Sequence, residues 1–177
     1  MPNSRDLEDL FQRCFRARWR TILVGGGCEP AYLPAAGDDY HQIRYTADYF
    51  ASALHEVAHW CIAGRERRQL SDYGYWYEPD GRTSEQQRVF ERVEAAPQAL
   101  EWIFSRAAGV RFRLSVDNLS TGEGPSESFK RNVCDAAKRF NQQGLGRRAA
   151  EFERALRGFY KPAPASLCAA FDPSALA

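Results

Sequence analysis

Apolar residues recur at helical spacing over residues 4–18, where Leu7, Leu10, Phe11, Cys14 and Phe15 share one face. Asn3 and Asp6 ahead of that run resemble a capping box. Residues 21–24 form a short β-prone run that the glycines at 25, 26 and 27 should stop as a turn. That triplet lacks the spacing of either phosphate-binding glycine loop. Residues 31–33 and 42–45 read as two further short strands. Asp48 can then cap a helix reaching about residue 63, closed by Gly64. An aromatic loop over residues 71–81 follows. Ser84 with Gln87 opens a long helical pattern to about residue 108, and Pro97 inside it predicts a kink or break near Glu94. Residues 112–116 alternate like a strand, residues 126–142 and 147–160 like two helices. The fold class expected is α+β, with helices packed on a small sheet. A single domain is expected over residues 1–160, with residues 161–177, rich in Pro, Ala and Ser, as a loosely ordered tail.

Composition narrows the partners. A net charge of +1 over 177 residues gives no electrostatic footprint for DNA. No apolar run approaches a membrane span, and the N-terminal residues lack a signal-peptide core. The 5 cysteines are an odd number without a C-x-x-C pair, which fits reduced thiols in a cytoplasmic protein. The expectation is a soluble monomer.

The chemistry concentrates in His55-Glu56-Val57-Ala58-His59. Histidines four apart on a helix leave the same face, so one ion can take a nitrogen from each. Phe50, Leu54, Val57, Ala58, Cys61 and Ile62 give this helix an apolar stem. His41, the third histidine, reads as a surface or satisfied residue rather than a ligand. A third ligand is needed, and the 84–108 helix offers Glu91, Glu94 and Glu101. Its apolar face is drawn by Phe90, Val93, Leu100, Ile103 and Phe104. Glu94 lies at the edge of that face, which makes it the preferred ligand. Glu91 points farther toward solvent, and the direction of Glu101 depends on what Pro97 does. Two histidines and one carboxylate leave an open coordination position, so the site is catalytic. The set serves zinc hydrolases and non-haem iron oxygenases alike. In the first class Glu56 is a general base; in the second it orients neighbours or carries protons. The motif alone favours the hydrolase, a small zinc-dependent metallopeptidase.

Residues 49–64, 72–82 and 93–102, with shorter echoes at 29–34 and 117–119, closely resemble the bacterial elongation factor P hydroxylase family. The likeness covers about residues 7–160. It implies a monooxygenase that hydroxylates the β-lysyl-modified lysine of elongation factor P, on a fold similar to zinc metallopeptidases. It implies Fe(II) at a site where zinc can also sit, and dioxygen as co-substrate. The metal set carried over is His55, His59 and Glu94, with Glu56 beside it as the catalytic residue. No 2-oxoglutarate signature is present, and no motif designates an electron donor. A β-lysyl-lysine side chain carries two amines, for which Asp72, Tyr73, Tyr75, Trp76, Tyr77, Glu78 and Glu91 are candidate contacts. Ring faces and carboxylates both attract cations.

Overall fold

In the computed structural model, which describes residues 2–74, 83–115 and 124–176, six helices surround a three-stranded sheet. Helix α1 (Ser4–Trp19) is capped by Asn3, whose side chain accepts from the Asp6 amide. Strands β1 (Thr21–Gly27), β2 (Ala31–Leu33) and β3 (His41–Thr46) follow. The sheet order is β1-β3-β2, with β1 parallel and β2 antiparallel to the central β3. Leu23, Ile43 and Tyr32 stand in register across it and are buried together. Period-two alternation in β3 sends Ile43 and Tyr45 inward and Arg44 outward.

The glycine triplet does not end the strand. β1 continues to Gly27 through a register irregularity after Val24. Tyr45 requires glycine there: a Cβ on Gly25 would lie 2.5 Å from its phenolic oxygen. Glu8 of α1 accepts from the Gly25 amide at 2.7 Å and from the Tyr45 hydroxyl at 2.8 Å, tying helix to sheet.

Helix α2 (Phe50–Ile62) carries the histidine motif and starts after Tyr49 rather than Asp48. Helix α3 (Ser84–Ala108) is capped by Thr83 and Gln86, one residue ahead of the expected box. It runs unbroken through Pro97. A proline in a helix interior costs about 3 kcal/mol or more. Burial of Leu100 and Phe104 beyond it contributes about 1.5–3 kcal/mol each, enough to keep the second half in line. The expected strand at 112–116 is also absent: residues 111–115 belong to no strand. Instead, the Gln98 side-chain amide bonds both backbone groups of Ser115, at 2.7 and 3.0 Å, replacing a strand partner.

Helices α4 (Glu127–Gln143), α5 (Arg147–Tyr160) and α6 (Pro164–Cys168) complete the fold. Phe11 and Phe15 pack on Trp60 with ring centroids at 5.3 and 4.9 Å, and Phe152 meets Phe104 at 5.1 Å. A second apolar cluster joins the opposite face of α3 to α4 through Trp102, Phe112, Phe129 and Val133. Residues 161–176 touch α3 and α4. Arg106 donates to the Ala169 and Ala170 carbonyls and lies over the Phe171 ring, Phe171 meets Trp102 edge-on, and Leu176 is buried. Among the described residues, no helix is long and apolar enough to cross a membrane.

His41 is satisfied, as expected. Its Nδ1 accepts from the Ala35 amide at 3.0 Å beside the Tyr32 hydroxyl. Burial, then Arg68 and Arg20, hold its pKa below the ordinary 6.5. The unfolded chain therefore binds the extra proton first, and stability is lost as pH falls below that value. Urea midpoints measured from about pH 7.5 down to about 5.5 should fall more in wild type than in His41→Asn. Parallel curves for the two proteins would remove His41 from this account.

Candidate metal centre

The site lies where α2 packs on α3. One helical turn separates His55 from His59, and both rings face α3. Their Nε2 atoms are 3.0 Å apart. Glu94 reaches both, with Oε2 at 3.3 Å from His55 Nε2 and Oε1 at 3.3 Å from His59 Nε2. One ligand atom from each of the three side chains falls within 4.8 Å of the others.

Atoms this close need imidazole protons or a cation between them. Glu94 is 1% exposed, and its Oε1 has only the 3.3 Å approach of His59 Nε2, with no well-formed hydrogen bond. Such an orphaned buried carboxylate oxygen is costly unless something positive meets it. His55 turns its other nitrogen away: Nδ1 lies 2.9 Å from Glu101 Oε2. A proton on Nδ1, donated to that carboxylate, leaves the Nε2 lone pair directed at Glu94 and His59. Among the described residues, neither Glu94 nor Glu101 is paired with a lysine or arginine. The donor set therefore fits a divalent ion held by two imidazoles and one carboxylate.

The protonation pattern without metal points the same way. Burial would lift the Glu94 carboxyl, but His59 and the bonds from both imidazoles hold it well below the ordinary range. Burial opposes charge on His55 too; the bonds to Glu101 and Glu94 outweigh it and hold its pKa well above 6.5. Glu101 is pushed up by burial against the pull of His55.

Beside the centre a cleft of about 520 Å³ is lined by His59, Tyr73, residues 62–67, and Val93, Ala96 and Pro97 of α3. Tyr73 reaches it through an unusual turn. Asp72, Tyr73 and Gly74 are all left-handed, with φ of 47°, 57° and 71°. Asp72 Oδ1 accepts from the Tyr32 amide at 2.7 Å. The Tyr73 ring stacks on Tyr32 at 4.3 Å and runs parallel to the His59 ring at 6.4 Å.

Comparison with known proteins now decides the lineage. Residues 10–170 match the elongation factor P hydroxylase family. The elongation factor P lysine hydroxylase of Haemophilus influenzae is 47% identical over 168 residues, 94% of each chain. This chain belongs to the elongation factor P hydroxylase family.

Within this hydroxylase-family chain the structure brings His55, His59 and Glu94 to one centre, with Glu56 on the next position of α2. Glu56 is partly buried. Burial raises its pKa against the pull of His55 and His59, and Glu94 and Asp72 add to the rise. Asp72 is exposed and Tyr73 buried at the cleft. Tyr75, Trp76, Tyr77 and Glu78 lie outside the described residues.

Glu91 does not point to solvent. It is 8% exposed and accepts from the Ser126 hydroxyl at 2.7 Å, which joins it to the cap of α4. Glu91 is turned inward because α3 is covered on both sides, by α2 and α5 and by α4. Glu101, whose direction the sequence left open, is the residue that reasoning missed. A signal was present: Glu91, Glu94, Gln98, Glu101 and Ser105 are buried polar residues spaced 3, 4, 3 and 4 along one helix. That heptad-like interval normally carries the apolar seam of a packed helix.

His55→Ala, His59→Ala and Glu94→Ala should each lose stoichiometric metal while circular dichroism stays near wild type. Full occupancy in any of them refutes the assignment. Glu101→Gln should keep the fold and lower metal affinity by about 10- to 100-fold. Metal must also displace the proton that the raised pKa of His55 retains, so affinity should climb as pH rises. The metal-induced gain in melting temperature should therefore be larger at about pH 8 than at about pH 6. A gain that shrinks with rising pH contradicts the proton competition.

Proposed function

We propose that this chain hydroxylates the β-lysyl-modified lysine of translation elongation factor P in the cytoplasm, using iron held by His55, His59 and Glu94. The observation that carries the reading is the convergence of these three side chains, one Glu94 oxygen unpartnered, in a member of this hydroxylase family. The relative from Haemophilus influenzae, named as an elongation factor P lysine hydroxylase, supports the substrate.

Iron bound there supplies the redox chemistry that lets dioxygen react with an unactivated C–H bond. Overall, one oxygen atom enters the C–H bond. The other leaves as water, with two electrons and two protons from an external reductant. The protein's share is placement. Glu101 fixes which nitrogen of His55 faces the centre. Leu54, Val57, Ala58 and Trp60 make a dry floor beneath the histidines. The cleft along His59 and Tyr73 has room for a long side chain; Asp72, exposed and next in sequence to Tyr73 but not lining the cleft, is the candidate carboxylate for an amine. Glu56, with its pKa raised and part of its surface exposed, can take up or return a proton at its carboxylate.

The test is mass analysis of β-lysylated elongation factor P after incubation with iron-loaded protein, a chemical reductant and dioxygen. The factor should gain the mass of one oxygen atom, and no gain should occur anaerobically. Glu56→Gln should keep the metal and retain a measurable part of the reaction, because proton transfer assists but does not supply the oxidant. If the zinc form cleaves peptides, loses this in Glu56→Gln, and the factor gains no mass, the chain is a peptidase.

A further inference from the structure

The unbroken passage of α3 through Pro97 has a chemical consequence. Proline lacks the N–H that an α-helix needs at position 97, so the carbonyl of Val93 loses its intrahelical donor. The pyrrolidine ring also crowds that carbonyl and tilts it away from the helix axis. Val93, Ala96 and Pro97 all line the cleft, so the interrupted face of the helix is the face that fronts it. The next residue along the chain is Glu94, which reaches both histidines.

We infer that Pro97 opens the main-chain carbonyl of Val93 as a hydrogen-bond acceptor for an ammonium group of the substrate side chain. This rests on the substrate reading proposed above and adds a subsite to it. A carbonyl without its intrahelical donor presents its partial negative charge to an incoming group, and a charged donor makes the stronger hydrogen bond. The carbonyl is uncharged, so it holds the ammonium without competing with Glu94 for the metal. Val93 precedes Glu94 in the chain, so an ammonium held there would stand beside the candidate centre. Arg65, Glu66 and Arg67 line the same cleft, and Arg67 is tied to the Tyr73 carbonyl at 3.0 Å. The α3 wall, free of like charge at Val93, Ala96 and Pro97, is where a cation is accepted.

Pro97→Ala returns the N–H and closes the carbonyl. The variant should keep its metal and melt at or above the wild-type temperature, since alanine favours helix. Its KM for β-lysylated elongation factor P should rise about tenfold or more, with a much smaller change in kcat. The Kd of the zinc-loaded protein for the same factor should rise in step, a readout independent of turnover. Pro97→Gly also returns an N–H without stiffening the helix and should give the same shift. Unchanged KM and Kd in folded, metal-loaded Pro97→Ala overturn the inference while the wild-type reaction stands. Loss of metal in that variant overturns it as well, since Pro97 would then act through Glu94. A wild-type protein that neither binds nor hydroxylates the β-lysylated factor removes the substrate reading, and the subsite with it.

Discussion

Helix α3 is covered by α2 and α5 on one side and by α4 on the other, so its polar side chains have little water to turn to. A buried carboxylate must find protons, hydrogen-bond donors or a metal, because leaving it charged and alone costs several kcal/mol or more. Each polar residue on the helix solves this differently. Glu91 takes the cap of α4, Gln98 takes the Ser115 backbone, Glu101 takes His55, and Glu94 sits between two histidines with an oxygen to spare. Three of these arrangements are complete within the protein. The fourth leaves an oxygen that a cation would complete, and that difference separates the candidate metal centre from the structural contacts beside it.

The rest of the fold holds α2 at the angle this requires. Its C-terminal carbonyls are bound by Arg148, which donates to Cys61 and Ala63, and by Arg68, which also donates to Ala63. Arg148 lies over the Trp60 and Trp19 rings at 4.6 and 5.1 Å. Burial and the nearby Arg68 lower its pKa to about 10, so it remains charged at neutral pH. Cation–π contacts of this kind contribute about 0.5–2 kcal/mol each and fix the last turn of the helix beside His59. On the cleft side, the strained Asp72-Tyr73-Gly74 turn is held by Asp72 on β2 and by stacking on Tyr32. Left-handed non-glycine residues persist where surrounding structure over-determines them.

Much of this was legible from residue patterns. Spacing alone placed α1, α2, α4 and α5, and the i,i+4 histidines announced their shared face. The partner Glu94 came from helical phase, with the family resemblance agreeing. Errors arose where a side chain served the backbone or a second surface covered a face. Glycines 25–27 read as a stop because the Tyr45 ring they make room for is twenty residues away. The 112–116 strand read from alternation has no strand partner, since Gln98 bonds Ser115 instead. Glu91 was assigned to solvent because periodicity reveals one apolar face, whereas α3 has two buried ones. The heptad-like spacing of polar residues hinted that Glu101 is buried, but its pairing with His55 needed the tertiary structure.

The seven-residue interval between Glu94 and Glu101 limits how this chain can change in length. Seven residues make two helical turns within about 20°, which lets both carboxylates engage one imidazole from opposite ends. Inserting or deleting a single residue between them rotates one relative to the other by about 100° and shifts it about 1.5 Å along the axis. Either His55 or the candidate metal centre loses its carboxylate. Insertions and deletions among relatives should therefore collect in the connections between helices and be absent from residues 95–100, even where side chains there vary freely. The helix serves as a ruler as well as a scaffold.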